Sequence, residues 1–167
     1  MCCSCIYGLS SVPKLGDRIE SAAKNCNIKH HRGGTYLAME GPQFSTLAES
    51  HMYRSWGCDV IGMTNMPEAK LAREAEICYA SIAMVTDYDS WHPDHGEVDI
   101  NSIIATLKSN TENAQKLITD IAKSMSKIFE PCPTGCQNAL DFAIMTQPND
   151  RNPDLVKKLD AVAGRVL

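Results

Sequence analysis

A chain of 167 residues with 44% apolar side chains is long enough to bury one ordinary core, so a single domain is the starting expectation. The formal charge of −4, with 16 Lys and Arg scattered along the chain, gives no basic footprint, and no nucleic-acid partner is expected. No apolar run reaches the roughly 18 residues a membrane span needs, and the N-terminus does not read as a signal peptide; the expectation is no membrane partner and a cytoplasmic or nuclear location.

After an unpatterned start, Leu15, Ile19, Ala22, Ala23 and Cys26 recur at helical spacing, and the pattern ends in the polar loop "NIKHHRGG". "TYLAM" reads as a short strand, closed by Glu40 and turned by Gly41-Pro42. Thr46 and Glu49 then have the spacing of a capping box. Ala48, Met52 and Trp56 predict an inward helix stripe, and Gly57 suits the left-handed residue that ends the helix. "DVIGM" is a second strand, and Pro67 fits the first turn of a helix running through Leu71, Ala72 and Ala75.

The run "ICYASIAMV", residues 77 to 85, is almost wholly apolar, as expected of a strand covered by helices on both faces. It gives way to the polar loop "TDYDSWHPDHGE", after which Asp99 is placed to cap a long helix. The apolar positions Ile100, Ile104, Leu107, Ala114, Ile118, Ile121, Met125 and Ile128 carry that helix to about residue 128. Beyond it, "EPCPTGCQ" and "PNDRNPD" interrupt the pattern, a short helix is expected around Leu155 to Val162, and the segment 129–167 reads as a loosely attached tail. Strands alternating with helices predict an α/β fold.

Of the eight cysteines, Cys2, Cys3 and Cys5 crowd the N-terminus, while Cys132 and Cys136 flank a Pro-Gly turn. These spacings do not form paired CxxC motifs, and the polar "HPDH" with His92 and His95 is far from both groups in sequence, so reduced thiols and no metal are expected.

Ligands of open α/β sheets bind beyond the carboxyl ends of strands, and three such ends here carry polar or turn-forming residues: Glu40 to Ser45, Gly62 to Thr64, and Thr86 to Asp89. Asp87 and Asp89 flank Tyr88 directly after the apolar run. A carboxylate shielded from water there would hold a proton for a leaving group, whereas a solvated loop acid beside a helix cap explains the same residues. Phe44 reads equally as a core staple, Thr64 as a turn hydroxyl and Met63 as core.

Taken together, "GTYLAMEGPQFSTLAES" and "SWGCDVIGMTNMPEAKLAREAEICYASIAMVTDYDSW" resemble the trimeric purine nucleoside phosphorylase family from about Pro13 to Ile128. The resemblance implies a three-layer sandwich around a mixed sheet, a homotrimer when full length, and phosphorolysis of a nucleoside with inorganic phosphate as co-substrate and no cofactor. Members that act on 6-oxopurines carry a Glu after the Phe of "GPxF", an Asn after the apolar run and a His at the start of the late helix. This chain has Ser45, Asp87 and Ile100 at those places. The substitutions imply an aminopurine base and an apolar 5′ substituent such as methylthio, because an apolar wall leaves a hydroxyl unpaired at a cost of about 1–3 kcal/mol. By the same resemblance Asp87 protonates N7 of the base, Asp89 bonds N6, Tyr88 and Ser45 line the base edge, and Phe44 packs on adenine or sugar. Met63 contacts the ribose, Thr64 binds phosphate, and Ile100 and Ile104 face the 5′ end.

The N-terminal half of the family pattern, with its glycine-rich phosphate loop, has no counterpart here; "RGGT" precedes a strand rather than following one. The expected domain division is therefore 1–128 as the C-terminal half of a nucleoside phosphorylase domain and 129–167 as a divergent tail. Two functions stand open: a purine-salvage phosphorylase of which this chain is a part, with little turnover of its own, or a shortened non-catalytic relative that binds adenosine-like ligands or protein partners.

Overall fold

A computed structural model describes residues 6–10, 12–93, 100–125 and 131–167. The elements in chain order are β1 (Ile6–Ser10), α1 (Pro13–Asn25), β2 (His30–Arg32), β3 (Tyr36–Ala38), α2 (Leu47–Ser55), β4 (Val60–Gly62), α3 (Asn65–Glu74), β5 (Ala80–Met84), α4 (Ile100–Ser124) and α5 (Pro153–Ala163), with single 3-10 turns at Cys136–Asn138 and Pro148–Asp150. The fold is mixed α/β. Its strands fall into two sheets: β2-β1-β5, with β1 parallel to β2 and antiparallel to β5, and a parallel β3-β4 pair.

Two of these strands depart from the expected order. β1 occupies the unpatterned start and β2 the polar loop. His-His-Arg has no apolar alternation, and what makes it a strand is the ladder Ile6↔His30, Tyr7↔His31 and Gly8↔Arg32.

The core lies between α1, α4 and one face of the three-stranded sheet. Ala22 and Ala23, each 1% exposed, are small enough to let α4 approach closely, and the fully buried Leu117 fills the space against Ile28, Ile82, Met84 and Ile121. Polar contacts run along the same seam: Arg18 Nη1 donates to Ser124 O at 3.1 Å and Asn25 Nδ2 to Asp120 Oδ2 at 3.1 Å. The inward face of α4 is thus set by Asn110, Leu117 and Ile121, while the expected Ile104, Leu107, Ile118 and Met125 are exposed. Apolar residues occupy more than one side of this helix, and α1 covers just one of them. The expected cap Asp99 and the last apolar position, Ile128, lie outside the described residues.

β5 is less buried than its composition suggested. It forms the edge of the described three-stranded sheet, every one of its residues is half-buried, and Ile77 before it is 59% exposed. Ile82 and Met84 face the core, whereas Ser81 turns to Asn65 of α3. An antiparallel strand with one covered face suffices here, unlike a parallel strand sandwiched between two helix layers.

α2 begins as expected: Glu49 N donates to Thr46 Oγ1 at 3.3 Å, and Thr46 N donates to Glu49 Oε2 at 2.7 Å, closing the capping box. Gly57, at φ 76°, follows the helix in the left-handed conformation. The expected inward stripe does not hold, because Ala48 is exposed, Met52 is 41% and Trp56 62% exposed, and the buried residue of this helix is Ser50.

The segment 131–167 is tied to the corner between α3 and β5 through Glu76. Its carboxylate accepts from Leu140 N at 3.0 Å and from Arg165 Nε at 2.8 Å, and Arg165 Nη2 also donates to Asp141 at 2.6 Å. The Arg165 guanidinium holds the Glu76 carboxyl down to about 2, helped by the Leu140 amide. Glu76 itself sits at φ 57°, a left-handed conformation unusual for a residue with a Cβ, and these charged hydrogen bonds hold it there.

Candidate functional site

The parallel pairing of β3 and β4 places two of the three expected rim segments side by side. Ala38 is in register with Gly62, and Met39 N continues the ladder by donating to Gly62 O at 2.9 Å. The loop after β3 and the turn after β4 therefore leave on one side, with Met63 packed on Gly41; a Cβ on that glycine would fall 3.3 Å from the Met63 sulfur. At Gly62 a Cβ would fall 1.9 Å from the Tyr36 hydroxyl, so a side chain here requires Tyr36 to move. Burial, with Tyr79 and Glu68 nearby, raises the Tyr36 phenol above its usual value, opposed by hydrogen bonds from Thr64.

Thr64 is the N-cap of α3, exposed, and makes no side-chain cap bond to that helix. It thus stands where free backbone N–H groups and the helix dipole favour an anion. Behind it, Asn65 Oδ1 accepts from Tyr79 at 2.8 Å and from Ser81, and Tyr79 also donates to Glu68 at 3.1 Å, anchoring the start of α3 to β5.

The third rim segment joins the first through side chains. Ser45 Oγ donates to Asp89 Oδ1 at 2.6 Å, and Ser90 Oγ donates to the Ser45 carbonyl at 3.2 Å. Burial pushes the Asp89 carboxyl up, but hydrogen bonds, with that from Ser45 foremost, outweigh it and leave the group below its ordinary value. Asp89 is therefore an ionised acceptor. Asp87 is exposed and accepts from Thr86 Oγ1 at 2.5 Å. Asn110, just 4% exposed, fixes the end of the preceding strand by donating from Nδ2 to Val85 O at 3.0 Å.

Tyr88 belongs to an aromatic group that the motif reading missed. It stacks on His92 with ring centroids 4.4 Å apart and meets Trp91 edge-on at 5.7 Å, while Arg54 of α2 lies 3.7 Å over the Trp91 ring. One face of Tyr88 is thus already occupied by His92. The dipeptide Ser90-Trp91 was the sequence signal available, and it carried no assigned role.

Ser45, Asp87, Tyr88 and Asp89 share one loop system, and Met63 and Thr64 adjoin it through Gly41. Phe44 and Ile104 are not gathered in. Phe44 is 83% exposed and Ile104 58% exposed, so neither forms a wall in this chain. Ile100 is the first residue of α4, and its side chain is not among the described features.

A second cluster lies away from these loops. The sulfurs of Cys78, Cys132 and Cys136 all lie within 4.8 Å of one another. Thr134 Oγ1 is 3.1 Å from the Cys132 sulfur and 3.5 Å from that of Cys136, and Arg73 Nη1 approaches Cys136 at 3.9 Å. Hydrogen bonding from Thr134 lowers the Cys132 thiol, while desolvation and the two neighbouring sulfurs raise that of Cys78. Cys78 was not grouped with the others because it is remote from them in sequence.

The family model described as the phosphorylase superfamily matches residues 9–123. The chain belongs to the phosphorylase superfamily. Among individual superfamily members, it is 66% identical over 154 residues to the S-methyl-5′-thioadenosine phosphorylase of Cereibacter sphaeroides, covering 92% of this chain and 53% of the relative. It is 58% identical to that of Bradyrhizobium diazoefficiens, covering 93% and 53%, and 56% identical to that of Rhodospirillum rubrum, covering 92% and 52%. The chain spans about half the length of the curated relatives it matches. Among solved structures, a methylthioadenosine phosphorylase from an antarctic soil metagenomic library superposes with a TM-score of 0.82 at 38% identity, over 93% of this chain and 57% of the other. A Schistosoma mansoni methylthioadenosine phosphorylase bound to adenine shares the fold at a TM-score of 0.60 and 24% identity, over 72% of this chain and 52% of that one.

Proposed function

We propose that the protein carrying this chain cleaves S-methyl-5′-thioadenosine with inorganic phosphate, giving adenine and 5-methylthioribose 1-phosphate, a step of purine and methionine salvage. The observation that carries the proposal is the join between the first and third rim segments, Ser45 Oγ to Asp89 Oδ1 at 2.6 Å, in a chain 66% identical to a phosphorylase of that name. An ionised Asp89 accepts hydrogen bonds and offers none, which suits the two N–H donors of an adenine N6 and not the carbonyl of a 6-oxopurine.

In this reading phosphate attacks C1′ as the bond from C1′ to N9 breaks, and the electron pair of that bond moves into the purine. Asp87, exposed in this chain and shielded only once the rest of the protein covers it, delivers a proton to N7, which turns the base into a better leaving group. Thr64 and the N-terminus of α3 hold phosphate, Met63 supports the ribose, and Tyr88 lines the base side. Phosphate is the co-substrate and no cofactor takes part. The whole protein is a homotrimer in the cytoplasm or nucleus, and the faces that leave Phe44 and Ile104 exposed here are completed by the rest of the assembly. The 167-residue chain alone has little or no turnover in this account.

The substrate assignment is checked by offering the protein methylthioadenosine and inosine in competition, with phosphate present. Adenine is the expected product; faster release of hypoxanthine places the enzyme in the oxopurine branch instead.

A further inference from the structure

Cys132 and Cys136 are brought together by a turn in which Gly135, at φ 68°, takes the left-handed conformation and donates its N–H to Cys132 O at 2.9 Å. Gln137 Oε1 accepts from Cys132 N at 3.1 Å and fixes the other end of the turn. Cys78 comes from a different part of the chain, the approach to β5, yet its sulfur lies within 4.8 Å of both. Two of the three residues are buried, beside Val12 and Leu15, and Cys78 faces solvent.

Three sulfurs at such separations are close to what a tetrahedral ion demands. A Zn–S bond of about 2.3 Å places ligand sulfurs about 3.8 Å apart, so contraction by about 1 Å or less brings these onto one ion. Three thiolates around a divalent ion leave a net charge of −1, and the Arg73 guanidinium, 3.9 Å from the Cys136 sulfur, stands where that charge would fall. The Thr134 hydroxyl, between two of the sulfurs, can donate to a thiolate and hold its orientation. The exposed side, at Cys78, leaves the fourth position to water.

We propose that Cys78, Cys132 and Cys136 form a zinc site that clamps the turn at residues 132–136 onto the approach to β5. Its role is to join chain segments, although three protein ligands and a water depart from the closed four-ligand pattern of most structural zinc sites. The ion joins the corner after α3, already held by Glu76 and Arg165, to the segment that follows α4.

The test uses the purified full chain, with its thiols kept reduced by a phosphine and metal removed by a chelator. Equimolar Co2+ is expected to give a sulfur-to-cobalt charge-transfer band with the visible bands of a tetrahedral site, displaced by one equivalent of Zn2+, and Zn2+ is expected to raise the thermal midpoint. Cys78→Ser, an isosteric change at an exposed residue, removes the charge-transfer band of the three-sulfur site, and Arg73→Gln weakens zinc binding about tenfold. The proposal is overturned if reduced protein gives no charge-transfer band, or if the band persists unchanged in Cys78→Ser and so arises from other cysteines. It is equally overturned if Zn2+ binds but leaves the thermal midpoint where it was.

Discussion

Ser45 shows how one hydroxyl both joins two loops and lowers the titration of the carboxyl it bonds. With the Asp89 carboxyl held below its ordinary value near 3.8, its contribution to stability is fully present above that value and is lost as the pH falls through the lower, folded one. Ser45→Ala should therefore raise the Asp89 titration midpoint, measured by NMR, and remove about 1 kcal/mol of stability at neutral pH. Glu76 obeys the same sign more strongly. Its carboxyl, held at about 2, contributes stability above its unfolded value near 4.5, lost progressively between there and about 2. Glu76→Gln should flatten the fall of the thermal midpoint over that range; an unchanged acid limb would show that Arg165 does not hold the C-terminal segment. Ser45, Asp87 and Asp89 could be singled out in the sequence by resemblance, but their partners could not. The ring stack of Tyr88 on His92 and the Arg54 contact with Trp91 depend on how a loop folds back on α2, which no spacing rule encodes.

At the level of elements, the signals that proved readable are local ones. The Thr46 and Glu49 box forms as its spacing requires, because both partners sit within one helical turn. Thr46→Ala should cost about 1 kcal/mol in a urea titration, and Thr46→Ser should recover most of it. The strands β1 and β2 and the inward face of α4 are of another kind, since each is decided by a partner remote in sequence. Leu117 illustrates this: it sits among several apolar residues of one amphipathic helix, and the close approach permitted by Ala22 and Ala23 selects it for full burial. Leu117→Ala should destabilise the fold by about 2–5 kcal/mol, whereas Ile118→Ala, on the exposed side, should change it little. The apolar run at β5 misled for the same reason: composition reports what can be buried, and the neighbouring layers decide what is.

For the molecule as a whole, the loops after β3 and β5 are joined within the chain, while other residues proposed for the site are left exposed. Ser45 is bonded to Asp89, Asn110 holds the end of the strand at Val85, and Met63 packs on Gly41, yet Phe44 and Ile104 stand open to solvent. This division matches a chain that spans about half the length of its relatives. The proposed function is that these residues, completed by the remainder of such a protein, make a methylthioadenosine phosphorylase. It is tested most directly by replacing the matching 154-residue stretch of the Cereibacter sphaeroides relative with this chain and measuring adenine release. Release from methylthioadenosine is expected to require phosphate and to fall at least about a hundredfold in Asp87→Asn, the scale of a lost general acid. A folded chimera that releases no adenine, or one in which Asp87→Asn retains full activity, would contradict it.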